Sequence, residues 1–549
     1  MTAAPTVAPA ERQPEARPAL LSPPRPRRAL PWSWVRLVGL LLVAVASELV
    51  YVAFWPLCYY LTQGVDYTYA YLVQYPAVWE RLLPLLLRFE ATWPEGARSL
   101  EFMVDAFMRT FVGAFVLYLL GFLLIRAGLP RGWGTVIVVA SAVAFQTTLF
   151  LMPGLFTTDL FSYAIYGQIA GPYELNPYVH LPAYFPQNPI MHWIHPIWHY
   201  APAIYGPAWI DLSWALAHGV STWADADKVL AYKVVVNLAQ LGAIGALALA
   251  VHRLRPGQTL ASVQLYAWNP LILFEFGGNG HNDAVMVALM LLGLALFAWG
   301  GRWIGLVALI ISFLIKMSSI LVLPYYVIAW ARRRGSLTGF ALVLAISGVT
   351  VVGVVALLYL PWWVGLETIG PILTWSQGPM FINYVPDILS YRVATEYLPD
   401  PIAPDPAAEL EWARGWTRLV TRALFAAYCL WELVRVRDLL GVAAAGARVM
   451  LAFLLIGNTW NLPWYFTWPL ALAIVVGPRS RTAIVLIGFS VSAPLVMYYN
   501  HFWSPYTPQE AYVLYLAPLA LGVLAGLPGL VARTLRASDR RSPARVEGS

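Results

Sequence analysis

The chain has 549 residues, of which 60% are hydrophobic, 14% aromatic and only 11% charged. A soluble domain carries roughly 25% charged residues, so a water-soluble globular protein is excluded, and the length leaves room for a dozen or more spans of about 20 residues. The net charge of +7 lies in the tails and short loops, which reads as the cytoplasmic excess of a polytopic membrane protein and not as a nucleic-acid surface.

Residues 1–30 are rich in Pro, Ala and Arg and are expected to be a disordered cytoplasmic tail, with Arg25, Arg27 and Arg28 holding the N-terminus inside. The apolar run that follows continues to Leu61, too long for a cleaved signal, and is read as an uncleaved span. Cys58 in this run and Cys429 in a later one suggest neither a disulfide framework nor a thiolate site. One membrane domain then occupies 31–532, with outer loops at 62–103, 153–228 and 361–411 that carry interfacial helices, and a basic cytoplasmic tail follows at 533–549. Spans at about 104–126 and 134–152 return the chain to the outside just before Asp159.

The segment Met152 to Trp209 has no Lys or Arg but many Tyr, His and Pro residues, so it is no single spanning helix. Asp159 is there either a functional carboxylate at a membrane exit or a cap for the helix around 160–169. The stretch 205–222 either spans or lies at the outer interface. The interfacial version satisfies the positive-inside rule at every later turn and places Gly280-His281-Asn282-Asp283 outside. It requires 303–331 to go out and back as two short helices broken near Lys316, which is tolerated where the break lines a polar cavity. Later runs bring the total to roughly 14 crossings, an all-α polytopic bundle with both termini in the cytoplasm.

On this topology one outer face collects Asp159, the histidines at 180, 192, 195 and 199, His281, Asp283, Lys316, Arg392, Trp460, Trp464, Tyr465 and His501. A carboxylate, cations and aromatics above an apolar bundle suit a lipid substrate with a phosphate headgroup. An intramembrane Lys is costly, so Lys316 is a site candidate rather than a snorkelling side chain, and a helix restarting at Ser318 would add free N–H groups beside its ammonium. The histidine spacing matches no strong zinc pattern, so no metal ligand set is assigned.

These motifs resemble the GT-C superfamily of integral-membrane glycosyltransferases that use polyprenyl-phosphate sugars, and most nearly the polyprenol-phosphomannose-dependent mannosyltransferases. The resemblance rests on TTDLFSYAIYG around Asp159, NPY at 176–178, YGPAW at 205–209, WNP at 268–270 followed by GNGHNDA, IKMSSILVLP around Lys316 and LPWYFTWPLAL at 462–472. Many relatives pair the aspartate with a second acidic residue; here Thr158 stands beside it.

The resemblance implies a GT-C-like fold in the cell membrane with an outward-facing active site. It implies transfer of a sugar, with a lean to mannose, from a polyprenyl-phosphate donor to a hydroxyl of an acceptor glycan or glycolipid, with inversion. Asp159 would be the catalytic base. Substrate contacts would come from Lys316, Ser318, Ser319, His281, Asn282, Asp283, Arg392, Tyr163, Tyr205, Trp460, Trp464 and Tyr465. No cofactor is implied, with a divalent metal left open. The alternative from another class is a transporter or flippase of lipid-linked sugars, which should show an inverted repeat and midplane polar groups. No such repeat is visible, and the polar groups gather at one surface.

Overall fold

A computed structural model describes residues 32–63, 84, 99–130, 132–371, 384–397, 406–503 and 514–525. The tails at 1–30 and 533–549, most of the 62–103 loop, and 372–383 and 398–405 of the third outer loop lie outside the described residues. Within them the chain is predominantly helical and contains no β-strand, only an isolated bridge between Val364 and Leu366.

The first helices are α1 (Trp32–Gln63), α2 (Leu100–Arg126) and α3 (Trp133–Phe150). Helix α2 starts where the Ser99 side chain accepts from Phe102 N at 3.2 Å. It ends in a basic turn of the kind that stays at a membrane surface. After α4 (Asp159–Ala170), two elements decide the topology: α5 (Pro207–Gly219) and α6 (Asp225–Leu254). Helix α5 has 13 residues, a length of about 20 Å against a hydrocarbon core of about 30 Å, so it does not cross as one helix. That agrees with the interfacial placement of 205–222.

Among the described residues seven helices are long and apolar enough to span a membrane, and the pair Pro270–Gly278 and Asp283–Ala298, bent by 119° at its break, passes the same test only when taken together. Any crossings beyond these rest on shorter apolar helices, Arg302–Ile315, Met317–Arg332, Pro463–Val476 and Leu514–Ala525. The middle of the chain, expected to be broken near Lys316, is broken there: Arg302–Ile315 stops, Lys316 is extended, and a 3-10 turn over Met317–Val322 leads into Leu323–Arg332. The helix Leu337–Tyr359 shows what surrounds the bundle. Val349, Val352 and Leu357 are each about two-thirds or more exposed, which is stable only in contact with lipid. The fold is an all-α polytopic membrane protein.

Packing converges on the bent pair. Asp283–Ala298 lies between α6 and Arg302–Ile315, and the helix Leu439–Ala452 packs on Thr467–Val476 behind it. A cluster of Phe54, Phe107, Phe111, Phe274 and Tyr498 closes the bundle under the first half of the bent pair, with ring centroids 4.9–5.8 Å apart for most of its pairs.

Candidate active site

The WNP and GNGHND motifs build the bend. Asn269 caps the new helix, its carbonyl oxygen accepting from Leu271 N at 3.0 Å and Ile272 N at 3.3 Å, and Pro270 takes the first helical position, where no N–H is needed. The backbone then widens into a π-helix over Leu273–Gly278, a rare form that re-aims side chains at functional sites. It turns Glu275 inward. Gly280 has φ +77, and a Cβ there would come within 2.9 Å of the Leu160 side chain, so the turn requires glycine. The next residue, His281, is thereby laid against Asp159.

Asp159 is not a helix cap. Thr158 holds the N-cap position and Asp159 is the first residue of α4, where the helix dipole favours a negative charge. Its Oδ2 faces His281 Nδ1 at 3.1 Å and accepts a long hydrogen bond from the Tyr163 hydroxyl at 3.4 Å. The other ring nitrogen, Nε2, lies 3.3 Å from Glu275 Oε2, an ion-pair distance without hydrogen-bond alignment. With a carboxylate at each nitrogen, the wholly buried ring is most favourable doubly protonated. Trp464 stacks on it at 3.7 Å. Burial alone pushes the Asp159 carboxyl up. The hydrogen bond and charge of His281, with the charge of Lys316, outweigh this and hold it below the ordinary carboxylate range.

Glu275 is itself fixed. Asn279 Nδ2 donates to its Oε2 at 2.9 Å, and the Tyr498 hydroxyl donates to its Oε1 at 2.8 Å. Asn279 Oδ1 also accepts from Phe156 N at 3.0 Å, tying the loop before Asp159 to the bend. The loop is braced on its far side as well: Tyr178 of NPY donates to Tyr205 O at 2.9 Å, and Gly206 N bonds Ile315 O at 3.3 Å beside Lys316.

Lys316 does not snorkel. Its Nζ bonds both oxygens of Asp283, at 2.9 and 2.8 Å, and lies 4.7 Å from the centre of the Tyr465 ring. Trp468 Nε1 donates to the same carboxylate at 2.6 Å. Asp283 is fully buried, so it acts on Lys316 and does not face the cavity. The cavity, about 670 Å³, is lined by Asp159, Lys316, Ser318, Tyr205, Trp460, Trp464 and Tyr465 among mostly apolar neighbours. Asp159 and Lys316 each keep about one-fifth of their side chains open, 20% and 18%. Trp198 stacks on Trp460 at 5.6 Å to form one wall. The indole N–H groups of Trp460 and Trp464 are buried with no partner, as are both polar side-chain atoms of Asn282. Such groups are costly unless a ligand or water satisfies them.

Not every expected residue reaches this cavity. Ser319 is buried, its hydroxyl 3.0 Å from Ser312 Oγ, and Arg392 is exposed at the end of the short helix Asp387–Arg392. Tyr163, His281, Asn282 and Asp283 stand behind the wall rather than on it. The histidines at 180, 195 and 199 bond nearby backbone atoms of their own segment. His501 has no described side chain. Glu275, Trp198 and Arg422, the last a second cation on the cavity, were not anticipated. Glu275 sits inside the apolar run LILFEFGG, and Arg422 resembles any basic residue of an amphipathic helix.

The structure thus defines a class, a polytopic all-α membrane protein with an oriented carboxylate and a paired lysine on one largely apolar cavity. Residues 91–332 match the family model for the alpha-(1->6)-mannopyranosyltransferase N-terminal domain, the stretch that carries Asp159, GNGHND and Lys316. The chain is 26% identical over 419 residues to alpha-(1->6)-mannopyranosyltransferase A of Mycobacterium tuberculosis, covering 71% of this chain and 77% of that protein. It is 26% identical over 212 residues to alpha-(1->6)-mannopyranosyltransferase B of Corynebacterium glutamicum, 34% of each. The likeness to GT-C-type mannosyltransferases drawn from the motifs is borne out.

Proposed function

We propose that this chain is a membrane glycosyltransferase that moves mannose from a polyprenyl-phosphate donor to a hydroxyl of a glycan or glycolipid at the outer face, inverting the anomeric carbon. The observation that carries this reading is the pairing on one cavity of an ionised carboxylate with a lysine, above apolar walls wide enough for a prenyl chain. The similarity to alpha-(1->6)-mannopyranosyltransferases supports mannose as the sugar.

In the transfer, the acceptor oxygen attacks the anomeric carbon and gives its proton to Asp159 Oδ. The bond from that carbon to the phosphate oxygen breaks, and the electron pair leaves with polyprenyl phosphate. Negative charge therefore grows on the leaving phosphate, where Lys316 is held by Asp283, a carboxylate that also accepts from the Trp468 N–H, and costs no reorganisation at the moment of reaction. The free N–H groups of Trp460 and Trp464 are placed to donate to the same phosphate or to sugar hydroxyls. His281 orients the base and keeps it ionised.

The test is transfer of mannose from polyprenyl phosphomannose by the purified protein, compared with Asp159→Asn. Asparagine preserves size and polarity at a position that is not the cap, so the fold and donor binding should persist while turnover falls by about 10²–10⁴. Turnover within a few-fold of wild type would remove Asp159 from the role of base. Donor movement between leaflets without any transfer product would point to a flippase instead.

A further inference from the structure

The end of the bundle remote from Asp159 holds a second cavity, about 740 Å³, onto which three arginines converge from three separate segments. Arg126 is the last residue of α2, Arg255 follows α6, and Arg479 lies in the loop after Thr467–Val476. Each segment is joined to the Asp159 end by a helix. Helix α3 alone, with 18 residues, puts about 27 Å between the Arg126 turn and the loop that enters Asp159. Thr467–Val476 likewise runs from Trp468, bonded to Asp283, to Gly477 at this cavity.

Scattered arginines at helix ends follow from the positive-inside rule and would be no site. This arrangement differs in three respects. The three side chains line one concavity, and among the described residues no Asp or Glu lines it, so about three positive charges face the same space. Arg255 is also only partly exposed. Its guanidinium packs against Gly477, which has φ +130, and a side chain there would collide with it; Gln258 closes the same contact. The floor is apolar, from Ile125, Leu260 and Val476. Cations above an apolar floor at a membrane surface match a phosphate headgroup above its acyl chains.

We infer that this cavity binds the phosphate of an anionic phospholipid in the leaflet opposite the active site. The shared chemistry, a phosphate held by guanidinium pairs, could also be met by soluble phosphate, and the experiment separates the two sources. The full-length protein is placed in nanodiscs of phosphatidylcholine with or without phosphatidylglycerol, and the lipid retained per protein is read by mass spectrometry. Phosphatidylglycerol should be retained in preference to phosphatidylcholine. Arg126→Gln, Arg255→Gln and Arg479→Gln should each weaken that retention about fivefold. Arg334→Gln, an exposed arginine outside the cavity, should leave it unchanged. Each single variant is checked for a monodisperse elution profile, so that any one that folds carries the test. Inorganic phosphate added to the protein in uncharged detergent should not displace the retained lipid. Retention equal for the two lipids, an equal loss in Arg334→Gln, or displacement by inorganic phosphate would each overturn the assignment.

Discussion

His281 stands between two carboxylates, and a ring so placed keeps its charge only while both remain ionised. Glu275 never touches the cavity, yet it sets the charge on His281, which in turn lowers Asp159. Glu275→Gln keeps the side chain's size and one acceptor oxygen, enough for either Asn279 or Tyr498, but removes that charge. Its expected effect is a fall in kcat of about 10–100-fold with KM for donor little changed, the range typical of residues that orient a functional group from behind. The sign of the pH effect follows from the same chain of contacts. Asp159 acts as base only when ionised, so with a lowered value activity persists until the pH falls through it. Weakening His281 lets burial raise Asp159, and the acid limb of kcat/KM should move to higher pH in Glu275→Gln. A rate loss with an unmoved acid limb would make Glu275 a packing residue.

Among the elements, the bent pair Pro270–Gly278 and Asp283–Ala298 with the turn between them supplies the residues that back the site, Glu275, His281 and Asp283, and the hinge is Gly280. Gly280→Ala places a methyl against Leu160 in a left-handed turn, a strain of about 1–3 kcal/mol. The expected outcome is a lower thermal midpoint in detergent together with a loss of transfer, because His281 shifts with the turn. An unchanged midpoint would show that the hinge tolerates a side chain. This element also shows what a sequence can and cannot disclose. GNGHND and Lys316 stood out because polar residues interrupt long apolar runs, and the break near Lys316 followed from charge placement at the turns. The π-helix did not stand out, since its residues are as apolar as those of a regular turn. Nor did the ion pair of Lys316 with Asp283: it joins positions 33 apart in the chain, and without it Asp283 reads as a cavity residue. The contact of Glu275 with Tyr498 spans 223 positions and leaves no local pattern at all.

For the molecule as a whole, the orientation of the bundle is the remaining step in the argument. The Asp159 cavity and the arginine-lined cavity lie at opposite ends of the same helices, and arginine-rich ends stay in the cytoplasm. On the proposed function the site would then face outward, where a lipid-linked sugar would meet an envelope glycan. Single cysteines in a Cys58→Ala, Cys429→Ala background test this. Tyr184 is 61% exposed in the loop after α4, and Arg334 is exposed beyond the helix Leu323–Arg332. In intact cells a membrane-impermeant maleimide should modify Tyr184→Cys and spare Arg334→Cys, and permeabilisation should expose the second without altering the first. Because α5 is too short to cross, 205–222 cannot supply an extra span that inverts one half of the chain relative to the other. Labelling of Arg334→Cys in sealed cells would reverse the bundle, place the Asp159 cavity in the cytoplasm and remove the outer-face part of the proposed function.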